Sequence, residues 1–240
     1  MMKKLIYALL LFPLLSGCDV AQQVLNQSTS TGGGALTTAD IVAGLKEALT
    51  VGTQNSSNKL SAVDGFFKDA AIKILMPPEA QKAESTLRSL GFGSVVDKAI
   101  LSMNRAAEDA AKSATPVFVN AIKQMTITDA LGILKGGESS ATNYFKGKTT
   151  AQLTQAFRPA IDKALTKTDA TKYWSDVFSV YNRFSQKKVD TDLGAYVTGK
   201  AIDGIFYEVA LEEQKIRKDP AARISDILKK VFGSPEAQNK

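Results

Sequence analysis

The sequence predicts an all-α fold, and three observations carry the prediction. Apolar residues recur at three- and four-residue spacing from about residue 38 to residue 233. No segment sustains the two-residue alternation of a half-buried strand. Several periodic stretches open at a proline or close at a glycine, as Pro78, Pro116, Gly91, Gly136 and Gly233 do. With 44% hydrophobic residues the chain can bury a substantial core. The expected architecture is a compact multi-helix domain of about nine or ten helices, behind an exported leader and a flexible tether.

The elements follow in order. Thr38 or Asp40 suits a helix cap ahead of Ile41, Leu45 and Leu49. Residues 50–65 are polar, but Leu60 and Val63 suggest a second helix. Ala71 to Met76 reads as a strand or extended piece stopped by Pro77 and Pro78. Pro78 suits the first turn of a helix that ends at Leu90, before Gly91. Ser94 to about Ser113 is a long helix with Val95, Ala99, Met103, Ala106 and Ala110 on one side. Thr115 and Pro116 restart another with Phe118, Ile122 and Met125 inward. Thr128 opens a short helix through Leu134, closed by Gly136 and Gly137.

A helix around Ala141 to Phe145 is expected next, then one from Thr150 with Leu153, Phe157, Ile161 and Leu165 inward and Pro159 as a candidate kink. Asp169 leads an aromatic helix with Trp174, Phe178, Tyr181 and Phe184. Asp192 to about Arg217 is the longest periodic segment. Pro220 begins a last helix carrying Ile224, Ile227, Leu228 and Val231, and Gly233 ends it.

The N-terminus predicts location. Lys3 and Lys4 precede an apolar run, Leu5 to Leu15, that is too short to span a bilayer comfortably. Ser16 and Gly17 then stand before Cys18, the only cysteine. This pattern resembles the lipobox of a bacterial lipoprotein, which implies lipidation of Cys18 and removal of residues 1–17. Residues 18–37 are small and polar with Gly32, Gly33 and Gly34, and read as a linker with an r.m.s. span of roughly 25 Å. Residues 38–233 form the expected single domain, and 234–240 a short polar tail. Asp19 resembles the inner-membrane retention signal of enterobacterial lipoproteins and tilts the expectation that way, leaving inner and outer membrane open.

Composition excludes several chemistries. The chain has no histidine, so Ser-His-Asp and Cys-His catalysis and histidine-ligated metals are absent. Lipid on Cys18 would remove thiol chemistry and disulfides as well. The net charge of +6, lowered by two on loss of Lys3 and Lys4, is too diffuse to predict nucleic-acid binding. No metal and no cofactor is expected. The expected partners are the membrane, through the Cys18 anchor, and a candidate protein of the envelope.

The order of local phrases adds a resemblance. It runs from Leu45-Lys-Glu-Ala-Leu49 and Val51-Gly52-Thr53 through Asn104-Arg-Ala-Ala-Glu108, Ala141-Thr142-Asn143-Tyr144-Phe145 and Phe157-Arg158-Pro159. Asp203-Gly204-Ile205-Phe206, Pro220-Ala-Ala-Arg223 and Leu228-Lys-Lys-Val-Phe-Gly233 complete it. Together these resemble the bacterial family catalogued as domain of unknown function 4197, over roughly Thr38 to Gly233. The resemblance implies a helical, exported, often lipid-anchored domain and supplies no reaction.

Candidate chemistry is sparse. Asp190, Asp192 and Gly194 begin like a calcium loop, but position twelve is Ala201, so Asp192 is better read as a helix cap. Glu208 and Glu212 share a helix face, and Glu213 precedes Arg217 by four. These acids either bind a cation or basic group, or are solvated acids bridged to arginines. Arg105, Arg158 and Arg223 lie in apolar stretches and need partners, for which Asp129, Asp162 and Asp203 are candidates. Arg105, Asp129, Arg158, Asp203, Glu208, Glu212 and Arg223 thus make a candidate polar binding cluster, though a structural role in fixing helix register is the commoner outcome.

The leading expectation is a non-enzymatic envelope lipoprotein that binds a protein or a small ligand. One rival is a carboxylate-based hydrolase using Asp203, Glu208 and Glu212, which needs those acids in one cleft. Another is a carrier of apolar molecules, which needs a large dry cavity lined by the 174–184 aromatics.

Overall fold

Leu153, Phe157, Ile161 and Leu165 recur every four residues, and all four are completely buried. That stripe belongs to one of the long helices around which the chain is built. The computed structural model describes residues 36–168 and 192–238, with positions 170, 171, 174, 175, 178, 182, 183, 188 and 190 between them. The leader, Cys18, Asp19 and most of the expected linker lie outside the described residues, as do Asp169, Tyr181 and Phe184. From Leu36 onward the described residues form one compact unit.

Its α-helices are α1 (Thr38–Ser61), α2 (Gln81–Ser89), α3 (Gly93–Ala111), α4 (Ala114–Gln124), α5 (Ile127–Lys135), α6 (Ser140–Thr166), α7 (Leu193–Lys218), α8 (Asp226–Phe232) and α9 (Pro235–Gln238). Short 3-10 turns, Pro78–Ala80 and Pro220–Ala222, precede α2 and follow α7. No β-strand occurs among the described residues, so the domain is all-α.

Two expected breaks are absent. Residues 50–61 continue α1 rather than forming a second helix; Leu60 is buried, but Val63, at 79% exposure, lies beyond its end. Residues 141–145 and 150–165 likewise belong to one helix, the 27-residue α6, which continues past Pro159. Hydroxyls on the inner faces bond back to carbonyls four residues earlier: Thr53 to Leu49 at 2.7 Å, Ser56 to Gly52 at 2.8 Å, Thr149 to Phe145 at 2.7 Å. A polar side chain whose hydroxyl is satisfied in this way can face the core.

Helix starts also differ from expectation, for one reason. Thr37, not Thr38, caps α1, and Thr126, not Thr128, caps α5. In both, the threonine hydroxyl accepts an amide from an aspartate three residues on, whose carboxylate accepts the threonine amide in return. Thr115 lies inside α4, which begins at Ala114 without a side-chain cap. Pro220 begins only a 3-10 turn; α8 starts at Asp226 under Ser225, leaving Ile224 exposed.

Asp40 also bonds Lys230 of α8 at 3.0 Å. The Thr37 amide first, and then Lys230, hold the Asp40 pKa down to about 2. Its folded pKa lies below the unfolded value, so the contribution of this link is complete above about pH 4 and is lost as pH falls toward 2.

The core lies among the long helices. α7 packs against α6, α1 and α3; α1 also meets α4, α5 and α8. At the centre the Phe118 ring meets Phe145 edge-on at 5.2 Å and Phe206 at 6.1 Å. Gly204 of α7 lies directly under the Phe66 ring, where a Cβ would collide with Cε1. α9 packs on α5 and α8, with Ser234 buried ahead of it.

α2 is different. Its principal contacts are with α3 and the turn before it, and it buries no residue. It ends at Gly91 in the left-handed region, φ +87°. The Gly91 amide donates to Arg88 O and the Phe92 amide to Leu87 O, a Schellman closure that turns the chain directly into α3.

Candidate functional site

The candidate polar residues do not meet in one cluster. All but Asp203 belong to separate hydrogen-bonded sets, and most of those sets hold chain segments in place. Arg105 of α3 bonds Glu108 at 2.6 Å and Asp64 at 2.7 Å, not Asp129. Glu108 is buried and also accepts the amides of Phe66 and Phe67, both at 3.2 Å. Asp64 adopts φ +70°, a conformation that a short polar side chain tolerates. Arg105 therefore fastens the turn after α1 to α3. Nearby, Asn104 donates to Ile74 O and accepts from Ile74 N, at 2.8 and 2.9 Å, which fixes the extended segment before Pro77.

Asp129 is engaged in the Thr126 cap. Arg158 does pair with Asp162, at 2.7 Å, and also with Asp192 at 2.9 Å. Asp192 caps α7 through the Ala195 amide, as the sequence suggests. Arg223 meets no carboxylate among the described residues: it donates to Ile216 O at 3.1 Å and Arg217 O at 2.9 Å, satisfying the carbonyls at the end of α7. Asp203 is 76% exposed with Lys200 4.0 Å away, and pairs with none of the three arginines.

The glutamates of α7 separate according to helix phase. Glu208 is buried and accepts from Lys59 of α1 at 2.6 Å. That bond holds the Lys59 ammonium above its ordinary pKa, against the opposing effect of partial burial. Glu212 bonds Asn55 at 2.8 Å. Glu213 bridges to Arg217, as their four-residue spacing suggests, but the pair is not solvated: it is the most deeply buried ion pair among the described residues, the side chains only 5% and 8% exposed. Its carboxylate accepts the Ala141 and Thr142 amides at 2.9 Å each and the Thr142 hydroxyl at 2.8 Å. Arg217 also donates to Ile133 O at 2.8 Å. Glu213 thus satisfies the exposed amides at the start of α6 and ties α5, α6 and α7 together. The void beside it is about 20 Å³, room for one water. Asp203, Glu208 and Glu212 therefore do not share a cleft.

The large concavity lies elsewhere, between α2, α3 and the segment carrying Trp174 and Phe178. It is an open concavity of about 670 Å³, within the ~300–1,000 Å³ common for small-molecule sites. Ala83 and Leu87 of α2 form one wall, Val96, Ala99 and Met103 of α3 another, and Trp174, Phe178 and Leu193 the floor. The Trp174 and Phe178 rings stand 4.4 Å apart, and the indole N–H donates to Asp190 O at 3.0 Å, so the ring is held with its apolar body at the cavity. Leu87 and Val95 line the cavity yet remain 40% and 57% exposed. Leu90 and Phe92, in the turn between the two helices, are exposed too.

The aromatic segment was legible as a candidate lining. The α2 wall was not, although Ala83 and Leu87 stand four apart on an otherwise polar helix. Phe206, Val209, Glu213 and Ile216 are spaced three, four and three apart, all buried, and that phase marks Glu213 rather than Glu212 as the inward acid.

Among the described residues no three potential metal-ligating side chains converge, and no single helix is long and apolar enough to cross a membrane. No curated protein and no solved structure matches the chain. A family model described as "Protein of unknown function (DUF4197)" matches residues 35–233, nearly all of the described domain, and the protein belongs to that family.

Proposed function

We propose that this domain is a non-catalytic binder of a small apolar molecule, held at a bacterial envelope membrane by a lipid on Cys18. The observation that carries the binding reading is the 670 Å³ cavity floored by Trp174 and Phe178. An open apolar concavity of this size leaves hydrophobic surface in water, a cost that a bound apolar molecule removes. Its walls are mainly aliphatic and aromatic, with Glu84, Lys98, Ser102 and Thr168 the polar residues among them, which suits a hydrocarbon chain better than a sugar or peptide. The carboxylate hydrolase is the weaker reading, because Asp203 is exposed to solvent while Glu208 and Glu212 bond different residues of α1. The anchor rests on the Lys3–Cys18 pattern.

Trp174 is the only tryptophan, so its fluorescence reports on the cavity directly. The full chain carrying Cys18→Ala is titrated with a brominated dodecanol, which quenches indole on contact. Saturable quenching is expected, and Ala99→Phe, which fills the cavity, should weaken it about tenfold while the melting midpoint holds. Quenching that never saturates, or that is unchanged by Ala99→Phe, rejects the cavity as a site. For the anchor, an alkyne-bearing palmitate should label the wild-type chain in bacteria and not Cys18→Ala; equal labelling of the two removes that part of the proposal.

A further inference from the structure

The apolar cavity does not end in neutral surroundings. Leu101, Ser102 and Thr168 line it and also line a second, adjoining groove of about 430 Å³. Its charged residues are net basic, Arg105, Lys163 and Lys167 against Asp109, set among Leu101, Ala106 and Ala164. Two of these charges are already answered. Arg105 is bonded to Glu108 and Asp64, and Asp109 to Lys112 at 2.8 Å. Lys163 and Lys167 are not. They stand one turn apart on α6, both exposed, and neither forms an ion pair with any described residue. Like charges at this spacing repel unless an anion lies between them. Ser102 lines both spaces, and its hydroxyl makes no hydrogen bond to any described residue.

Resting on the cavity reading above, we propose that the ligand is a long-chain carboxylate. Its hydrocarbon tail lies against Trp174, Phe178 and Met103, and its head lies in the Lys163–Lys167 groove, where the Ser102 hydroxyl donates to it. The division of the two spaces matches the division of such a molecule. The apolar one contributes burial of the tail, which does not discriminate between heads. The basic one contributes selection for a negative head by charge complementarity and selects against a positive one.

The test compares dodecanoate, dodecanol and dodecyltrimethylammonium, each read by Trp174 fluorescence in the full Cys18→Ala chain at pH 8 and low salt. Dodecanoate should bind roughly three- to tenfold more tightly than dodecanol, and the cationic amphiphile most weakly. The advantage of dodecanoate should shrink as salt is added. Lys163→Gln combined with Lys167→Gln should bring dodecanoate level with dodecanol and leave dodecanol unchanged. Both lysines are exposed, and circular dichroism of the double variant checks that its helices are intact. If all three amphiphiles bind alike, or the advantage survives the double variant, the head-group assignment is wrong while the cavity reading stands. If none of the three binds, both are wrong.

Discussion

Helices α7 and α2 differ in how their polar and apolar residues are used. α7 buries half of its 26 residues, and even its buried charges have partners: Glu208 has Lys59, and Glu213 has Arg217, two amides and a hydroxyl. α2 buries none of its nine, packs chiefly on α3, and turns Ala83 and Leu87 toward open space. Around α7 the void is the size of a water, and beside α2 it is about 670 Å³. The charged residues that draw attention in the sequence are mostly engaged in holding helices together. The capacity to bind lies where charge is scarce and packing is incomplete. In this domain, a fully satisfied polar cluster indicates architecture, and an apolar face without a partner indicates a site.

The largest test of this contrast is Glu213→Ala. It would leave Arg217 buried without its carboxylate and the Ala141 and Thr142 amides without an acceptor, so a loss of about 3–5 kcal/mol is expected. Urea denaturation measures it, and a loss under about 1 kcal/mol would show that water replaces the carboxylate at small cost. Gly204→Ala comes next. The added methyl would meet the Phe66 ring inside a packed core, and about 1–3 kcal/mol of destabilisation is expected from the displaced ring. The sharper readout is ligand affinity: neither residue lines the α2 cavity, so dodecanol binding by the folded fraction should be unchanged in both variants.

The same contrast explains what the sequence could and could not reveal. Periodicity identified the faces of α6 and α7, because Leu153, Phe157, Ile161 and Leu165 each bury a large apolar side chain. It missed the continuity of α1, whose inner face over its second half is Gly52, Thr53, Ser56 and Ser57, residues that fit a tight contact without adding hydrophobicity. The Arg158–Asp162 pair was legible because both lie on one helix, four apart. Arg105 with Asp64 was not, since 41 residues separate them and only tertiary folding joins them. The cavity was half legible. The aromatics at 174 and 178 announce an apolar surface, but an amphipathic helix over a core and one over a void have the same sequence pattern.

The smallest expected stability effect is the most discriminating. Leu87 lies on α2 with 40% of its surface exposed, so Leu87→Ser removes little that folding needs. The cost should be no more than about 0.7 kcal/mol, chiefly helix propensity. If Leu87 forms a wall for a bound chain, the same change should weaken dodecanol binding by about 1 kcal/mol, roughly fivefold, through lost apolar contact. A residue that merely packed would show the opposite order, with stability falling more than affinity. Comparing the melting midpoint with the Trp174 titration in one variant therefore separates a wall of a site from an edge of the core. A stability loss of 2 kcal/mol or more would place α2 with α7 among the packed elements. The cavity would then be a space that α2 closes in solution, and the contrast between the two helices would not hold.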